Sequence, residues 1–325
     1  MTKKPAEFTS NYFSISNVNR QVVDGAEYVR LHASDRFGSR RHAFERRAFA
    51  IFTKAMESYL RKHPHLDFMH PKNPIPRIVY LPPALKSWAA YMPGGFATFH
   101  VHNPDRTHLH SGKKLDYLTK NLFRHSSDAI GLRSRAYAMA WYLQGHFASH
   151  SHISWLSIAS GTGQPAYDAA QLFNDNKDFH LCDLDEKALA YAVELADEYA
   201  INPASIHTHR VDVTDGQRLA ALLAETQPNI IEAMGLFEYL DDETATTLLR
   251  RLKVGATKGS VLVFTNMHAG HPQLQLHKRG LGWPGVIPRT VEQTRALIKA
   301  AGYPDSTLTV LQPDDDVYAV YGLIL

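Results

Sequence analysis

From Ile153 to Leu325 the apolar positions alternate between two kinds of run. Short continuous stretches rich in β-branched and aromatic residues fall near 153–159, 179–183, 206–211, 229–233, 259–265, 306–311 and 317–324, and read as buried strands. Between them apolar residues recur at helical spacing near 164–175, 186–200, 215–226, 242–253 and 290–301. Repeated strand–helix units predict a parallel sheet covered on both faces. Only Gln312-Pro313-Asp314-Asp315-Asp316 separates the last two strands, too little chain for a crossover helix, so they should close as an antiparallel hairpin. The expected fold class is α/β: a Rossmann-like, seven-stranded, mostly parallel sheet with that terminal hairpin, preceded by a largely helical extension.

The chain before Ser126 patterns differently. Residues 1–40 mix aromatic and polar positions without a period, as in Phe8-Thr9-Ser10-Asn11-Tyr12-Phe13-Ser14, and suggest an irregular arm or short helices. From Arg40 to His63, Phe44, Ala48, Phe49, Phe52, Met56, Tyr59 and Leu60 mark a long amphipathic helix, with Arg40, Arg41, Arg46 and Arg47 largely off the stripe. Prolines at 64, 71, 74, 76, 82, 83 and 93 then break any long helix, and only Arg77–Leu81 looks strand-like. Two His-x-His pairs follow, His100/His102 and His108/His110. On a strand each pair would share a face, but no acidic or cysteine partner stands at metal-ligand spacing, so no metal site is expected. Asp128–Phe147 reads as a helix entered from Ser126-Ser127-Asp128.

Charge sharpens this division. Residues 1–150 carry 22 Lys+Arg against 10 Asp+Glu, and residues 151–325 carry 13 against 22, although the whole chain is only +3. Either the basic half meets an anionic partner, or the halves dock through opposite charge. With 44% hydrophobic residues the chain can bury a full core, and no stretch approaches the ~20 apolar residues of a membrane span. The start, Met1-Thr2-Lys3-Lys4-Pro5-Ala6-Glu7, lacks the apolar core of a signal peptide, so a soluble cytoplasmic protein is expected. The single cysteine, Cys182, excludes an internal disulfide and a cysteine-rich zinc site.

In such a sheet ligands bind outside the carboxyl ends of the strands. After the first strand come Ala159-Ser160-Gly161-Thr162-Gly163, where glycine lets the backbone turn sharply and a ligand approach closely, ahead of a helix N-terminus. Asp183 closes the second strand, about 20 residues on, where a carboxylate can take both hydroxyls of a ribose. Asp212 closes the third and can accept from an adenine amine, with Val213 flanking the ring. The fourth opens into Met234-Gly235-Leu236-Phe237-Glu238-Tyr239.

On these residues, 130–325 resembles a class I S-adenosylmethionine-dependent methyltransferase. Gly235–Leu240 and Asn266-Met267-His268 are similar to a bacterial group of "putative" methyltransferases. The resemblance implies S-adenosylmethionine as cofactor. Gly161 and Gly163 would face its methionine part, Asp183 the ribose, Asp212 and Val213 the adenine, and Met234, Gly235, Leu236 and Phe237 the sulfonium, with Leu184 as a further cofactor contact. Ser157 and Ala159 stand where the family has a carboxylate and a glycine, so Arg133, Tyr137 or Ser160 would adjust recognition of the amino-acid end. No Asn/Asp-Pro-Pro-Tyr/Phe segment follows the fourth strand, which disfavours nucleic-acid amino groups as acceptors.

The expected reaction is in-line methyl transfer to an oxygen, hydroxyl or carboxyl, of a small acceptor that is anionic or acyl. Where a proton must leave, His268 is the first candidate base, with Glu238 and Tyr239 beside it. Asn266, His271 and Trp283 are candidate acceptor contacts, Trp283 lying in an aperiodic insert from Gly270 to Arg289. Residues 1–125 would then be the acceptor and lid region and 126–325 the methyltransferase domain. No membrane partner is expected, and the oligomeric state is open. Two rivals stand. Gly161-Thr162-Gly163-Gln164-Pro165-Ala166 also fits the Gly-x-Gly-x-x-Ala of an NAD(P)-dependent oxidoreductase, opposed by Pro165, Asp212 and the closing hairpin. A cofactor- or nucleic-acid-binding protein without catalysis is the other.

Overall fold

A computed structural model describes residues 8–9, 13–35, 40–147, 150–173 and 176–325. The charged start, 1–7, and the last two positions of the helix expected over 164–175 lie outside the described residues, as do the side chains of Arg40 and Arg41.

The N-terminal segment forms strands: β1 (Phe8–Thr9), β2 (Phe13–Val23) and β3 (Ala26–Asp35). This corrects the irregular arm or short helices expected there. The signal was Asp24-Gly25, a hairpin dipeptide whose two residues both take positive φ, +50° and +85°, and so twist the flanking strands together. Five helices follow: α1 (Arg40–Lys62), α2 (Ile75–Val79), α3 (Pro83–Trp88), α4 (Gly95–His102) and α5 (Tyr117–His125). Arg77–Val79, expected extended, is helical because Pro76 sits in the first turn, where its missing N–H costs nothing. His100 and His102 lie on α4, where residues two apart face different directions, so the strand reading of that pair fails.

α6 (Ser127–Phe147) is the long central helix. Beyond it come β4 (His152–Ile158), α7 (Gln164–Ala170), β5 (Asn176–Cys182), α8 (Glu186–Glu198), β6 (Ile206–His209), α9 (Gly216–Thr226), β7 (Ile230–Ala233), α10 (Asp242–Gly255), β8 (Val261–Met267), α11 (Val291–Ala300), β9 (Leu308–Pro313) and β10 (Tyr318–Ile324). All ten strands join one mixed sheet, ordered β1-β2-β3-β9-β10-β8-β7-β4-β5-β6. The sheet therefore has ten strands, not seven. β4 to β8 run parallel to one another, and β10 lies antiparallel between β8 and β9. β3 adds to β9 in parallel, Glu27 opposite Thr309 through Leu31 opposite Pro313, and so continues the sheet beyond the closing hairpin.

Two apolar layers cover it. Trp155, Phe179, Leu181 and Val320 pack under α6, α7 and α8, and the hairpin contributes Phe13, Ile15, Val29 and Leu31 to this same layer. Leu156, Ile231, Phe264 and Tyr321 pack under α9, α10 and α11. A third cluster unites α1 to α5 with Leu276, Leu281 and Tyr318, placing these helices over the ends of the strands. Arg30–Asp316 and Arg106–Glu198, both 2.6 Å, join the basic half to the acidic half.

Because Leu31 is 1% exposed inside the common core, Leu31→Ala should lower stability by about 2–5 kcal/mol in denaturant unfolding, while Val22→Ala on the exposed edge changes it by less than about 0.5 kcal/mol. Equal, small effects would mean the hairpin only rests on the domain.

Candidate active site

The turn after β4 is tight: Ala159, Gly161 and Gly163 all have positive φ, at +51°, +53° and +71°. For Ala159 this costs roughly 1–2 kcal/mol, a strain the surroundings must hold. They do so from two sides. The Gly161 N–H donates to Asp183 Oδ2 at 2.7 Å, while the Asp185 N–H donates to Asp183 Oδ1 at 2.9 Å. From above, α4 presses so close that a Cβ on Gly95 would stand 2.6 Å from the Gly161 Cα.

The space between this turn, the strand ends and the helical cover is a cavity of about 310 Å³. Of the expected cofactor residues, Ala159, Ser160, Gly161, Asp183, Met234, Gly235 and Leu236 line it. Gly163 sits just behind, its Cα side closed by the Tyr167 and Leu181 side chains. Asp212 folds onto Thr214, accepting its N–H and hydroxyl at 2.9 and 2.7 Å, bonds that hold its carboxyl below the usual range. Neither Asp212, the exposed Leu184 nor the buried Val213 lines the cavity.

Other expectations are corrected. Phe237 packs against Phe264 in the core. Arg133 is 2% exposed and spends its donors on Asp35 and the carbonyls of Val101, Phe123 and Arg124, so it braces the helical cover rather than meeting a ligand. Tyr137 stacks on Phe13 outside the cavity. His268, the first candidate base, is absent from the cavity wall; its ring packs on the Gly270 turn, and burial pushes its pKa down. Asn266 donates to the Met267 and Ile287 carbonyls and accepts from Arg289, which makes it a brace for the insert. His271 is likewise not in the wall.

Glu238, Tyr239 and Trp283 do line the cavity, and the Trp283 indole N–H donates to the Tyr239 hydroxyl at 2.6 Å. Glu238 pairs with Arg135 at 3.1 Å, and Arg135 lies over the Tyr318 ring at 4.2 Å. Burial pushes both Glu238 and Glu232 above the ordinary carboxyl range.

Residues the sequence reading passed over complete the wall. Asp128, at the start of α6, and His277, in a five-residue π-helical turn at Leu276–Gly280, both line it. Asp128 Oδ1 faces His277 Nδ1 at 2.6 Å and His271 Nε2 at 3.2 Å. Burial alone would raise the Asp128 carboxyl, but the two histidines hold it well below its usual range. Four buried wall atoms among the described residues have no hydrogen-bond partner: Ser160 Oγ, Glu232 Oε2, Glu238 Oε2 and His277 Nε2. Their convergence was invisible in the sequence, although Glu232 stands at a strand end where a ligand contact is expected. π-turns, too, concentrate at functional sites, but no sequence period announces one.

Beside this cavity lies an apolar one of about 390 Å³, walled by Phe49, Phe52, Met56, Val79, Leu85 and Leu276. The two share Leu122, Ser126, Asp128 and Leu281 as wall residues. No helix among the described residues is long and apolar enough to cross a membrane.

A family model described as "Putative methyltransferase" matches residues 93–312, more than half of the chain. No curated protein matches the sequence. Among solved structures, a chain described as a "possible exported protein" from Bordetella parapertussis is 19% identical, with TM-score 0.56, covering 74% of this chain and 85% of that one. Magnesium protoporphyrin IX methyltransferase from Synechocystis is 12% identical, TM-score 0.49, covering 74% of this chain and 99% of that one. A riboflavin-derivative dimethyltransferase, RosA, from Streptomyces davawensis is 17% identical, TM-score 0.46, covering 65% and 60%. At these identities the Bordetella likeness speaks for the fold alone. The match over 93–312 is what places the chain: it belongs to the "Putative methyltransferase" family and is an S-adenosylmethionine-dependent methyltransferase.

Proposed function

We propose that this enzyme methylates an oxygen of a small acceptor bound between Tyr239, Trp283 and His277, with the donor seated on the turn after β4. The observation that carries the reading is the set of orphaned acceptors in one cavity. Two buried carboxylate oxygens and a hydroxyl with no protein donor suit a cationic ligand with an ammonium and a sulfonium, and each costs roughly 1–3 kcal/mol while unmatched. Ser160 and Glu232 would take the amino-acid end, Asp183 the ribose, and the Met234–Leu236 segment the sulfonium side. Within the ten-stranded sheet, the contiguous block β9-β10-β8-β7-β4-β5-β6 supports a Rossmann-like methyltransferase core, with residues 40–125 as its cover and the N-terminal hairpin as an added edge.

When bound, S-adenosylmethionine supplies an already activated methyl group, so the chain mainly aligns the acceptor and excludes water. For a hydroxyl acceptor a proton must also leave. His277 is placed for that: Asp128 takes the proton-bearing Nδ1, which leaves Nε2 as the lone-pair nitrogen. The neighbouring apolar cavity supports an acyl or other aliphatic tail on the acceptor.

Asp183→Ala should abolish binding of S-adenosylmethionine and S-adenosylhomocysteine in isothermal titration; retained affinity would move the donor elsewhere. Because burial raises the Glu232 carboxyl, affinity for the cationic donor should be full at neutral pH and fall as pH drops through a point above the ordinary ~4.3, and Glu232→Gln should flatten that profile. With methyl-labelled donor and a panel of alcohols, phenols, carboxylic acids and amines of increasing chain length, label should appear on oxygen; label on amines alone would overturn the acceptor assignment. His277→Gln should cost about 10²–10⁴-fold in transfer to hydroxyls, spare carboxylates, and leave S-adenosylhomocysteine affinity unchanged.

A further inference from the structure

Away from the cavity, the first turns of α1 meet the end of α5 in a second cluster of ligating side chains. His42 and Glu45 are three residues apart on α1 and so share a face. His125 is the last residue of α5, and its side chain is 1% exposed. Both of its ring nitrogens are buried without a hydrogen bond, an expensive arrangement for an imidazole unless something else takes a lone pair.

The spacings point to what that is. His42 Nδ1 and His125 Nε2 stand 3.4 and 3.7 Å from the same atom, Glu45 Oε2, and one ligand atom from each residue fits within a 4.8 Å span. These separations are long for charge-assisted hydrogen bonds. They match the edges of a tetrahedron around an ion with bonds of about 2.0–2.1 Å, roughly 3.4 Å. Asp128, His271 and His277 form a second such group among the described residues, but there the contacts to Asp128, 2.6 and 3.2 Å, are already of hydrogen-bond length.

We propose that His42, Glu45 and His125 bind a divalent transition-metal ion, zinc by ligand type and geometry, with the fourth position open to solvent. The half-buried His42 and Glu45, 17% and 28% exposed, provide that opening. Glu45 Oε1 accepts from the Tyr117 hydroxyl at 2.7 Å, which orients the carboxylate as metal-ligand partners commonly do. The ion would tie α1 to α5 at the edge of the apolar cavity, whose wall includes both Glu45 and Tyr117.

The test uses the full chain after chelator treatment, titrated with zinc chloride in a calorimeter and with cobalt(II) by visible absorption. One zinc per chain is expected, with a four-coordinate cobalt spectrum. His125→Ala and Glu45→Ala should each weaken zinc by about a hundredfold and erase that spectrum, while Asp128→Asn binds zinc as the parent does. Circular dichroism and S-adenosylhomocysteine titration check the fold; Glu45, being half-buried, keeps the test open should His125→Ala unfold. Absence of zinc binding, binding unchanged in the folded Glu45 variant, or loss only in Asp128→Asn would each overturn the proposal, and none of these outcomes bears on methyl transfer.

Discussion

Arg135 is the fixed point around which the cavity is arranged. The residue is 3% exposed, and its guanidinium reaches from the middle of α6 across the end of the sheet, donating to Glu238 at 3.1 Å and to the Met234 carbonyl at 3.0 Å while lying over the Tyr318 ring. Removing a charged group from water costs several kcal/mol, so a buried cation survives only where its partners are held in place. Here the partners are the segment that leaves β7 and the start of β10, between β8 and β9. One side chain thereby ties helix, loop and hairpin together. It also explains Gly235, whose φ is +132° and where a Cβ would come within 3.3 Å of the Arg135 guanidinium.

With that cation spoken for, the cavity is left with more acceptors than donors. Glu238 gives one oxygen to Arg135 and Glu232 one to the Met234 N–H, and the second oxygen of each is orphaned. Such an arrangement is poor for stability and suited to recognition: the free chain carries unmatched polar atoms that a cationic ligand would relieve. The left-handed Ala159 is a further cost of the same kind, located at the same wall. Energy withheld from folding is available where the donor and acceptor must be aligned.

The cover over this site is held by arginines acting on backbone. Arg133 collects carbonyls from α4 and α5, and Arg279 those of Leu60, His63 and Leu66. Within the basic half, Arg133 and Arg135 are thus internal, and Arg30 and Arg106 pair with the acidic half. The π-turn at Leu276–Gly280, anchored by the Leu276 N–H on Glu57, brings His277 from the insert to Asp128 on α6.

What was legible in the chain follows from periodicity. Strands β4 to β10 and the helices between them announce themselves through runs of apolar residues, because each element must bury a face and its geometry dictates the spacing. The glycine turn and Asp183 were legible for a related reason: only certain residues tolerate that backbone, and strand ends are where ligands bind. The N-terminal hairpin was written in Asp24-Gly25 but masked by aromatic residues at Phe8 and Phe13, which pack on each other and, for Phe13, on Tyr137 of α6. Arg133 and Arg135 are alike in sequence, two residues apart on one helix. Only the packed structure sends one into a nest of carbonyls and the other to the cavity. His268 and His277 divide the same way. Local sequence determined that imidazoles lie in and just before the insert; which one meets a half-buried carboxylate 149 positions away was decided by how α6 and the π-turn pack, because that contact has no local signature.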